Sequence, residues 1–360
     1  MAAAPSVHLR SAADTVAQDW SRLRDYLAAH DLVLEIDPPP RQFAGGLANL
    51  NYLVHINDGE AVLRRPPMGP LPPGAYDMGR ESKILSRLHE KFPLAPRALH
   101  LCLDAEVIGA PFQITEFRSG ISIRDVLPAP FAGQPEIGLQ LSQTMIDVLA
   151  QLHGVNPDDV GLGDLGKPQG FLQRTVEGWI KRATLATADW GRPRTDALIA
   201  DLGAWMRANI VPDRNLALLH NDYKLDNILL DAQTLAPVAV VDWDQGTRGD
   251  ALFDLASLLS WWAQPGDPPV MHELHQMPTA QPGFLSRSQV VDGYAKATGI
   301  DVSDFLFHRV LGLFKTAAIL QQLHLRYRAG ATQDPQYAAF AQIGEDLLAF
   351  ALDISAGRAF

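Results

Sequence analysis

Residues 219–244 read LHNDYKLDNILLDAQTLAPVAVVDWD and decide the fold class of this 360-residue chain. The stretch opens with a polar loop (residues 220–227) of fixed spacing, His220-x-Asp222-x-Lys224-x-x-Asn227. Asp222 is the candidate catalytic base, because a carboxylate can orient an attacking hydroxyl and accept its proton. Lys224 can neutralise charge on a transferred phosphoryl group. His220 is predicted to pack beneath the loop and to bond with its backbone, without a role in proton transfer.

Two carboxylates follow the polar loop at the end of an apolar run. Residues 237–241 are predicted to form a buried strand, which fixes the position of Asp242 directly after its end. Magnesium prefers oxygen ligands, usually one or two carboxylates together with phosphates and water. Asn227 and Asp242 therefore form the predicted magnesium site, and Asp244 is either a second ligand or a solvent-facing neighbour. Single Asp and Asn residues are common, whereas this full spacing is much more specific to phosphoryl transfer.

The segment before residue 67 is predicted to bind nucleotide phosphates. Two apolar strands, 50–56 and 61–65, are separated by Asn57-Asp58-Gly59, a strong hairpin signal. Glycines in the preceding loop allow the backbone to approach a phosphate closely. The residues of this loop that we assign to nucleotide binding are Gly45, Gly46 and Asn49.

A cation and an acid follow on the next two predicted elements. Arg64 lies on the second hairpin strand and is the candidate cation for the α and β phosphates. Glu81 lies early in a predicted helix over 78–92 and can form an ion pair with it. Two short strands, 98–103 and 111–117, complete a small antiparallel sheet with one helix.

After Gly120 the pattern becomes mainly helical. Apolar residues recur at helical spacing over 135–153, over 305–327 and near 340–350. The polar loop lies between these helical blocks, so we place a lobe boundary near 118–120 and expect the active site in the cleft. Three parts are expected: an N-terminal helical extension (1–30, with a helix over 12–30), a nucleotide-binding N-lobe (31–118), and a C-lobe with the polar loop and acceptor-binding helices (119–360).

Composition restricts the class of function. Apolar residues make up 47% and charged residues 20%, as in ordinary soluble globular proteins, and the formal net charge is −11. This acidic balance argues against a broad basic surface for nucleic acid or a membrane. The single cysteine, Cys102, is predicted to be a small buried residue and favours a reducing, cytoplasmic setting. Neither a secretory signal nor a membrane span is evident, and the oligomeric state is not indicated.

Taken together, these residues resemble the aminoglycoside phosphotransferase family, a branch of the protein-kinase-like fold. The resemblance covers about residues 42–262, and the polar loop and Asp242 are its most specific parts. It implies an α+β, bilobal protein-kinase-like fold with a small N-lobe and a larger, mainly helical C-lobe. It also implies Mg²⁺ as cofactor and ATP (or GTP) as co-substrate.

The same resemblance implies roles for residues outside the polar loop. Arg64 would bind phosphate, Glu81 would orient it, and the backbone near Glu116–Arg118 would hold adenine. In the segment GDALFDLA, Asp254 would brace the polar loop and Asp250 would cap the following helix.

Several segments are most similar to the kinase-like domain found fused ahead of acyl-CoA dehydrogenase domains. They are VLRRPP (62–67), GDLGKPQGFLQR (163–174) and Trp261-Trp262. A dehydrogenase name could reach such a chain by inheritance, but too few residues remain here for a flavin-binding domain. Two residues depart from the family pattern: Arg64 stands where kinases generally have lysine, and Ala48 where the family often has serine.

The implied reaction is direct in-line transfer of the γ-phosphoryl group to a hydroxyl of a small molecule. The acceptor stays open among hydroxyacyl compounds, amino alcohols, sugars and aminoglycoside-like antibiotics, and the fused relatives favour the hydroxyacyl class. The alternative is a non-catalytic module that binds a nucleotide or a partner, against which the intact Asp222, Asn227 and Asp242 weigh.

His272-Glu273-Leu274-His275 is set aside as a zinc motif, because its histidines are three apart instead of four. We predict an exposed, proline-rich loop there.

Overall fold

The computed structural model describes residues 9–44, 49–68, 77–331 and 334–360. The chain forms two compact units, and each is discontinuous in sequence. The first unit consists of residues 1–122, 158–163 and 228–246, and the second of residues 123–157, 164–227 and 247–360.

The strands in chain order are β1 (Leu34–Glu35), β2 (Arg41–Gln42), β3 (Leu50–Ile56), β4 (Gly59–Arg65), β5 (Ala98–Cys102), β6 (Phe112–Glu116), β7 (Leu216–Leu219), β8 (Ile228–Leu230), β9 (Pro237–Val240) and β10 (Thr247–Asp250). The α-helices are α1 (Trp20–Ala28), α2 (Met78–Leu85), α3 (Pro135–His153), α4 (Phe171–Thr187), α5 (Pro193–Ala208), α6 (Ala251–Ser260), α7 (Pro269–Glu273), α8 (Arg287–Thr298), α9 (Phe305–Arg328) and α10 (Gln336–Ser355).

An antiparallel sheet forms the centre of the first unit. Its strand order is β1-β3-β4-β6-β5, with β2 beside β3. The β3–β4 hairpin is confirmed: Ile56 pairs with Gly59, and Asn57 and Asp58 between them have φ angles of 49° and 64°. Two successive left-handed residues are typical of the tight turn that suits the twist of paired strands. The α+β class, with a small antiparallel sheet in one unit and mainly helices in the other, is therefore confirmed.

The N-terminal helix is shorter than predicted. Apolar spacing predicts a helix over 12–30, but α1 begins only at Trp20, where the Asp19 side chain caps the first turn. The backbone of Val16 bonds to the sheet instead: its carbonyl accepts a hydrogen bond of 2.9 Å from the Tyr52 hydroxyl. Val16 is therefore tied to the sheet through its backbone and is not part of a helical turn.

The helix predicted over 78–92 is divided in two. It runs as α2 and, after Arg87 with φ of −126°, continues as a 3₁₀ turn over Leu88–Glu90. Leu88 and Phe92 are nevertheless fully buried. The apolar pattern thus identified the buried face correctly, although it did not reveal the break.

Residues 228–246 pack with the N-terminal part of the chain. β8 pairs with β9 in antiparallel fashion. The Ile121 N–H donates to the Leu230 carbonyl at 2.7 Å, and the Val240 N–H donates to the Leu94 carbonyl at 2.8 Å. These backbone bonds explain why the first unit includes a segment so far along the sequence.

Helix α9 is the central helix of the second unit, and α4, α6 and α10 pack around it. The predicted spans 135–153 and 305–327 are confirmed by α3 and by α9, which extends one residue further. Gly312 on α9 allows α6 to approach closely, since a Cβ there would lie 2.7 Å from the Ala256 carbonyl oxygen.

The prediction of an exposed loop around residues 272–275 is right about exposure, which holds for His272, Glu273 and His275, but wrong about the loop. The segment includes the short helix α7, and Met271 and Leu274 anchor it by burial, while His272 and His275 are exposed. Cys102 is buried, as predicted. Among the helices in the described ranges, none combines the length and the apolar character needed to cross a bilayer.

Candidate active site

The polar loop follows β7 in the second unit. β7 pairs antiparallel with β10, so that Leu219 lies opposite Thr247 and Leu216 lies opposite Asp250. β10 runs directly into α6, and a 3₁₀ turn over Leu225–Asn227 closes the loop. One small strand pair therefore anchors both the start of the polar loop and the start of α6.

Asp222 is oriented by three neighbours within the polar loop. Its N–H donates to His220 Nδ1 at 3.2 Å, and His220 itself is fully buried. Asn227 Nδ2 donates to the Asp222 carbonyl at 2.8 Å and to its Oδ2 at 3.3 Å. Lys224 Nζ lies 3.3 Å from the same carboxylate oxygen. The Asp222 side chain is still 20% exposed, so a substrate hydroxyl can reach a carboxylate whose direction is fixed.

The sequence pattern does not single out Asp226, which the structure places beside Lys224. Lys224 Nζ lies 3.2 Å from Asp226 Oδ1 and therefore between two carboxylates. Burial raises the pKa of Asp226, and the Lys224 cation partly opposes this shift. An acidic residue two positions after the lysine, in the same turn, was the available signal.

Asp254 on α6 holds the backbone at the start of the polar loop. Its Oδ2 accepts from the His220 N–H at 2.6 Å, and its Oδ1 accepts from the Asn221 N–H at 2.7 Å. On the other side, His153 Nε2 lies 3.4 Å from Asp254 Oδ2, and His153 Nδ1 lies 2.6 Å from the Tyr294 hydroxyl. No sequence motif points to His153 or Tyr294, because they lie on α3 and α8, far from the polar loop along the chain.

Asp250 caps α6. Its Oδ1 accepts from the Leu252 N–H at 3.0 Å, and its Oδ2 accepts from the Arg214 N–H at 3.1 Å. His308 Nε2 lies 3.4 Å from the same carboxylate. The Asp250 side chain thus satisfies a backbone donor of the first turn of α6. It also holds the segment that leads into β7 against the start of that helix.

We expect Asp254→Asn to lower the free energy of unfolding by about 1.5–3 kcal/mol at pH 7, because one hydrogen bond from backbone to a charged acceptor is lost. Burial alone would raise the pKa of Asp254, but the bond and charge of His153, with the charges of His220 and Lys315, hold it below its ordinary value of 3.8. A lowered carboxyl pKa contributes stability above 3.8 that is lost as the pH falls through the folded-state value.

The difference between wild type and Asp254→Asn should therefore shrink below about pH 4. Denaturant unfolding of both proteins across the acid range measures this. A difference that stays constant with pH would contradict the assignment of a charged brace.

In the first unit, Arg64 on β4 contacts three carboxylates. Its Nε lies 3.0 Å from Glu81 Oε2 on α2. Its Nη2 bonds to Asp242 Oδ1 and lies 3.7 Å from Asp244 Oδ2. The Arg64 and Glu81 side chains are 11% and 3% exposed, so this is a buried cluster and not a surface ion pair.

Asp242 and Asp244 flank a buried tryptophan. Trp243 Nε1 donates to the Val240 carbonyl at 2.8 Å, and its backbone N–H donates to Glu81 Oε1 at 3.3 Å. Asp242 has a left-handed φ of 72°. Such a backbone costs about 1–3 kcal/mol and is typically kept at functional sites. The anchored tryptophan explains how the chain holds this conformation.

The charges of this cluster influence one another. Burial by itself lowers the pKa of Arg64, but the charges of Glu81, Asp242 and Asp244 more than offset it and raise that pKa above its ordinary value. Burial raises the pKa of Glu81, and the Arg64 cation partly opposes this. Arg64 is therefore a permanent cation beside the predicted metal carboxylates.

The other residues predicted to bind nucleotide lie partly in this cluster. Asn49 faces the Arg64 guanidinium, in the amide orientation in which its oxygen accepts from Nε at 3.2 Å and from Nη2 at 2.6 Å. Glu116 and Arg118 pair with each other, with Nη2 and Oε2 3.1 Å apart, at the end of β6. Gly45 and Gly46 lie outside the described residues, as does Ala48.

The oxygen donors present have the chemistry that magnesium requires. Asn227 uses Nδ2 to bond Asp222, which leaves Oδ1 as the acceptor of its side chain. The hairpin of β8 and β9 directly follows Asn227, and Asp242 comes two residues after it. Across the described ranges, no group of three or more His, Cys, Asp or Glu side chains is arranged to hold a metal. Taken singly, the amide oxygen of Asn227 in the second unit and the carboxylates of Asp242 and Asp244 in the first are donors of the type that magnesium prefers, and magnesium usually keeps several waters and phosphate oxygens as further ligands.

Among curated proteins, the chain is similar to considerably longer ones. Acyl-CoA dehydrogenase family member 11 of Pongo abelii is 30% identical over 318 residues, which is 87% of this chain and 40% of that protein. Acyl-CoA dehydrogenase family member 10 of Mus musculus is 26% identical over 320 residues, 89% of this chain and 29% of that protein. The chain thus spans less than half the length of these relatives.

Solved structures share the fold. A Ralstonia eutropha protein, provisionally named an aminoglycoside phosphotransferase, has a TM-score of 0.73 at 24% identity and covers 95% of this chain and 99% of that chain. A ternary complex of APH(4)-Ia with ADP and hygromycin B has a TM-score of 0.57 at 14% identity and covers 91% and 98%. The GDP and kanamycin complex of APH(2″)-IIia has a TM-score of 0.57 at 15% identity and covers 92% and 99%.

The sequence pattern of the phosphotransferase enzyme family matches residues 40–287, well over half of the chain. The match includes the polar loop, the Arg64 cluster, and Asp250 and Asp254 at the start of α6. The resemblance seen in the sequence is thereby confirmed, and the chain belongs to the phosphotransferase enzyme family.

Proposed function

We propose that this chain is a small-molecule kinase, which transfers the γ-phosphoryl group of ATP or GTP to a hydroxyl of its acceptor. One observation carries the proposal: Asp222 is partly exposed, and its carboxylate is held by Asn227 and Lys224. A fixed carboxylate of this kind is what an attacking hydroxyl needs. Membership of the phosphotransferase family and the nucleotide-bound structural neighbours support the same reaction class.

In the proposed reaction, Asp222 orients the acceptor hydroxyl and takes up its proton as the oxygen attacks the γ-phosphorus. The bond from the γ-phosphorus to the bridging oxygen breaks as the new bond forms, so that a nucleoside diphosphate leaves. Lys224 neutralises charge on the transferred group, and Asn227 keeps the Asp222 carboxylate in place. No covalent enzyme intermediate is needed.

We assign the nucleotide side of the reaction to the Arg64 cluster. Arg64 would bind phosphate and Glu81 would orient it, with Asn49 and the backbone of 116–118 completing the nucleotide contacts. Asn227, Asp242 and Asp244 would hold Mg²⁺, which when bound neutralises phosphate charge. In domain terms, residues 31–118 would form the nucleotide-binding lobe and residues 119–360 the catalytic and acceptor-binding lobe, except that residues 158–163 and 228–246 pack with the first unit.

For the acceptor we favour a hydroxyacyl compound. The two curated relatives are named as acyl-CoA dehydrogenase family members, and this chain is similar to a part of each that is shorter than half. We expect a kinase encoded together with an acyl-CoA enzyme to act on a related acyl compound. The net charge of −11 and the single cysteine support a cytoplasmic enzyme without a nucleic-acid or membrane partner.

A screen for nucleotide consumption tests the proposal. Wild type and Asp222→Ala are supplied with ATP or GTP, Mg²⁺ and a library of hydroxyacyl thioesters, amino alcohols, sugars and aminoglycosides, and release of the nucleoside diphosphate is measured. We expect at least one acceptor class to raise release by wild type well above that by Asp222→Ala. Tight nucleotide binding without turnover on any acceptor would favour the non-catalytic module instead.

A further inference from the structure

A buried lysine on α9 contacts the polar loop. Lys315 is 3% exposed, and its Nζ lies 2.5 Å from the Asn221 carbonyl oxygen, 3.2 Å from Asn221 Oδ1 and 3.3 Å from Ser257 Oγ. An ammonium group has three N–H donors, and each has an acceptor here. No motif connects this helix with the polar loop, which precedes it by about ninety residues in the sequence.

The packing of α6 against α9 explains how Lys315 reaches the loop. Gly312 brings the two helices together at Ala256, and Lys315 lies about one helical turn further along α9. Ser257, its partner on α6, directly follows Ala256. The Phe253 ring, with its centroid 5.0 Å from Nζ, covers the cation from another side. The lysine is therefore fixed by the same helix that supplies Asp254.

The contact acts on the peptide that leads into Asp222. Asn221 has a left-handed φ of 66°, and Asp254 accepts hydrogen bonds from the N–H groups on one side of it. Lys315 binds the Asn221 carbonyl on the other side. Because a peptide group is planar, fixing this carbonyl also fixes the N–H of Asp222, which donates to His220 Nδ1. The direction in which Asp222 leaves the backbone thus depends on Lys315.

A purely structural role does not require a cation at this position. Burial lowers the pKa of Lys315, and the charges of Asp222 and Asp254 partly oppose that shift. A buried charge is costly to keep, and an apolar side chain of similar volume often stabilises a protein core equally well. The attraction between Lys315 and the two carboxylates gives the cation a reason to be retained.

We propose that Lys315 is a positioning residue for phosphoryl transfer, which sets the orientation of Asp222 through the Asn221 carbonyl. This inference rests on the proposed function. Lys315 does not contact the reacting atoms, so its loss should lower the rate of the chemical step and leave nucleotide binding unchanged.

Kinetics of Lys315→Met and Lys315→Gln test the inference, with Lys296→Met as control because Lys296 is exposed on α8. With the acceptor found in the screen, we expect Lys315→Met to lower kcat by about 10²-fold, since misplacing a catalytic group by roughly 1 Å costs that much. The KM for the nucleotide should stay unchanged. Lys315→Gln keeps N–H donors but no charge, so its kcat should lie between those of Lys315→Met and wild type. Amide hydrogen exchange of residues 220–223 should be faster in both variants and unchanged in Lys296→Met.

A folded Lys315→Met with wild-type kcat, or with wild-type exchange in the polar loop, would overturn the positioning role. If the methionine variant does not fold, Lys315→Gln decides by the same two measurements, and wild-type values in it overturn the inference. A wild type that turns over no acceptor fails in a different way, because that result overturns the proposed function itself.

Discussion

Asp222→Asn is expected to lower kcat for phosphoryl transfer by about 10²–10⁴-fold, the usual contribution of a positioned general base. Asparagine has almost the same shape as aspartate, so the bond from Asn227 Nδ2 to the Asp222 carbonyl can remain. The amide cannot accept a proton from the hydroxyl, however. Nucleotide affinity should stay near the wild-type value, because the nucleotide contacts are assigned to the Arg64 cluster.

Single-turnover rates and nucleotide titration on the same preparations separate these effects. Asp201→Asn is the matched control, because it makes the same chemical change on the exposed face of α5. The control should retain wild-type kcat. An Asp222→Asn variant with more than about one tenth of the wild-type kcat would show that Asp222 is not the base.

Arg64→Met is expected to lower the free energy of unfolding by about 3–5 kcal/mol, the usual cost of removing one partner from a buried charge cluster. Three carboxylates would lose their shared cation, and Glu81 is the most buried of them. We also expect nucleotide binding to become undetectable, because the proposed phosphate cation is gone. Arg64→Lys keeps the charge but not the forked geometry. Its free energy of unfolding and its nucleotide affinity should therefore lie between those of Arg64→Met and wild type.

The loss in Arg64→Met should depend on pH. The folded-state pKa of Glu81 already lies above its ordinary value of 4.5, and removing Arg64 raises it further. A raised carboxyl pKa means that the folded state binds more protons than the unfolded state, so stability increases as the pH falls through this range. The deficit should therefore narrow as the pH is lowered from 7 toward about 5.

Arg24→Met is the control for the arginine substitution. Arg24 pairs with Asp25 on α1, and the two side chains are 47% and 70% exposed. Exposed pairs of this kind contribute about 0–1 kcal/mol. Thermal and denaturant unfolding of Arg64→Met, Arg64→Lys and Arg24→Met measures whether the loss of stability comes from the buried cluster. Equal losses in Arg24→Met and Arg64→Met would exclude a buried cluster as the cause.

The parts of the site that are local in sequence could be predicted from it. The spacing of the polar loop is set by the reach of a few residues, and the β3–β4 hairpin by two residues that tolerate left-handed angles. Asp250 could be assigned as a helix cap for the same reason, since capping acts within three residues. Chemistry that operates over short distances along the chain leaves a visible pattern.

Contacts between distant segments could not be predicted. Lys315 reaches the polar loop only because Gly312 permits two helices to approach, and nothing near the loop encodes that packing. The return of residues 228–246 to the first unit depends on bonds to Leu94 and Ile121. Val16 falls at helical spacing by coincidence, since its backbone carbonyl bonds to Tyr52 on the sheet and the residue lies outside α1.

The arginine on β4 has a consequence for chemical labelling. β4 contains no lysine, and the guanidinium of Arg64 has a raised pKa and stays protonated, so it is not a nucleophile toward acylating reagents. A nucleotide that carries an amine-directed reactive group on its phosphates would therefore find no target on this strand. Among the residues assigned to contact the acceptor, the nucleotide or the transferred group, Lys224 alone has an amine to acylate, and the amine of Lys315 is buried. A reagent that marks kinases through a strand lysine should leave β4 of this protein unmodified, and any covalent inhibitor aimed at lysine would have to be designed for the polar loop.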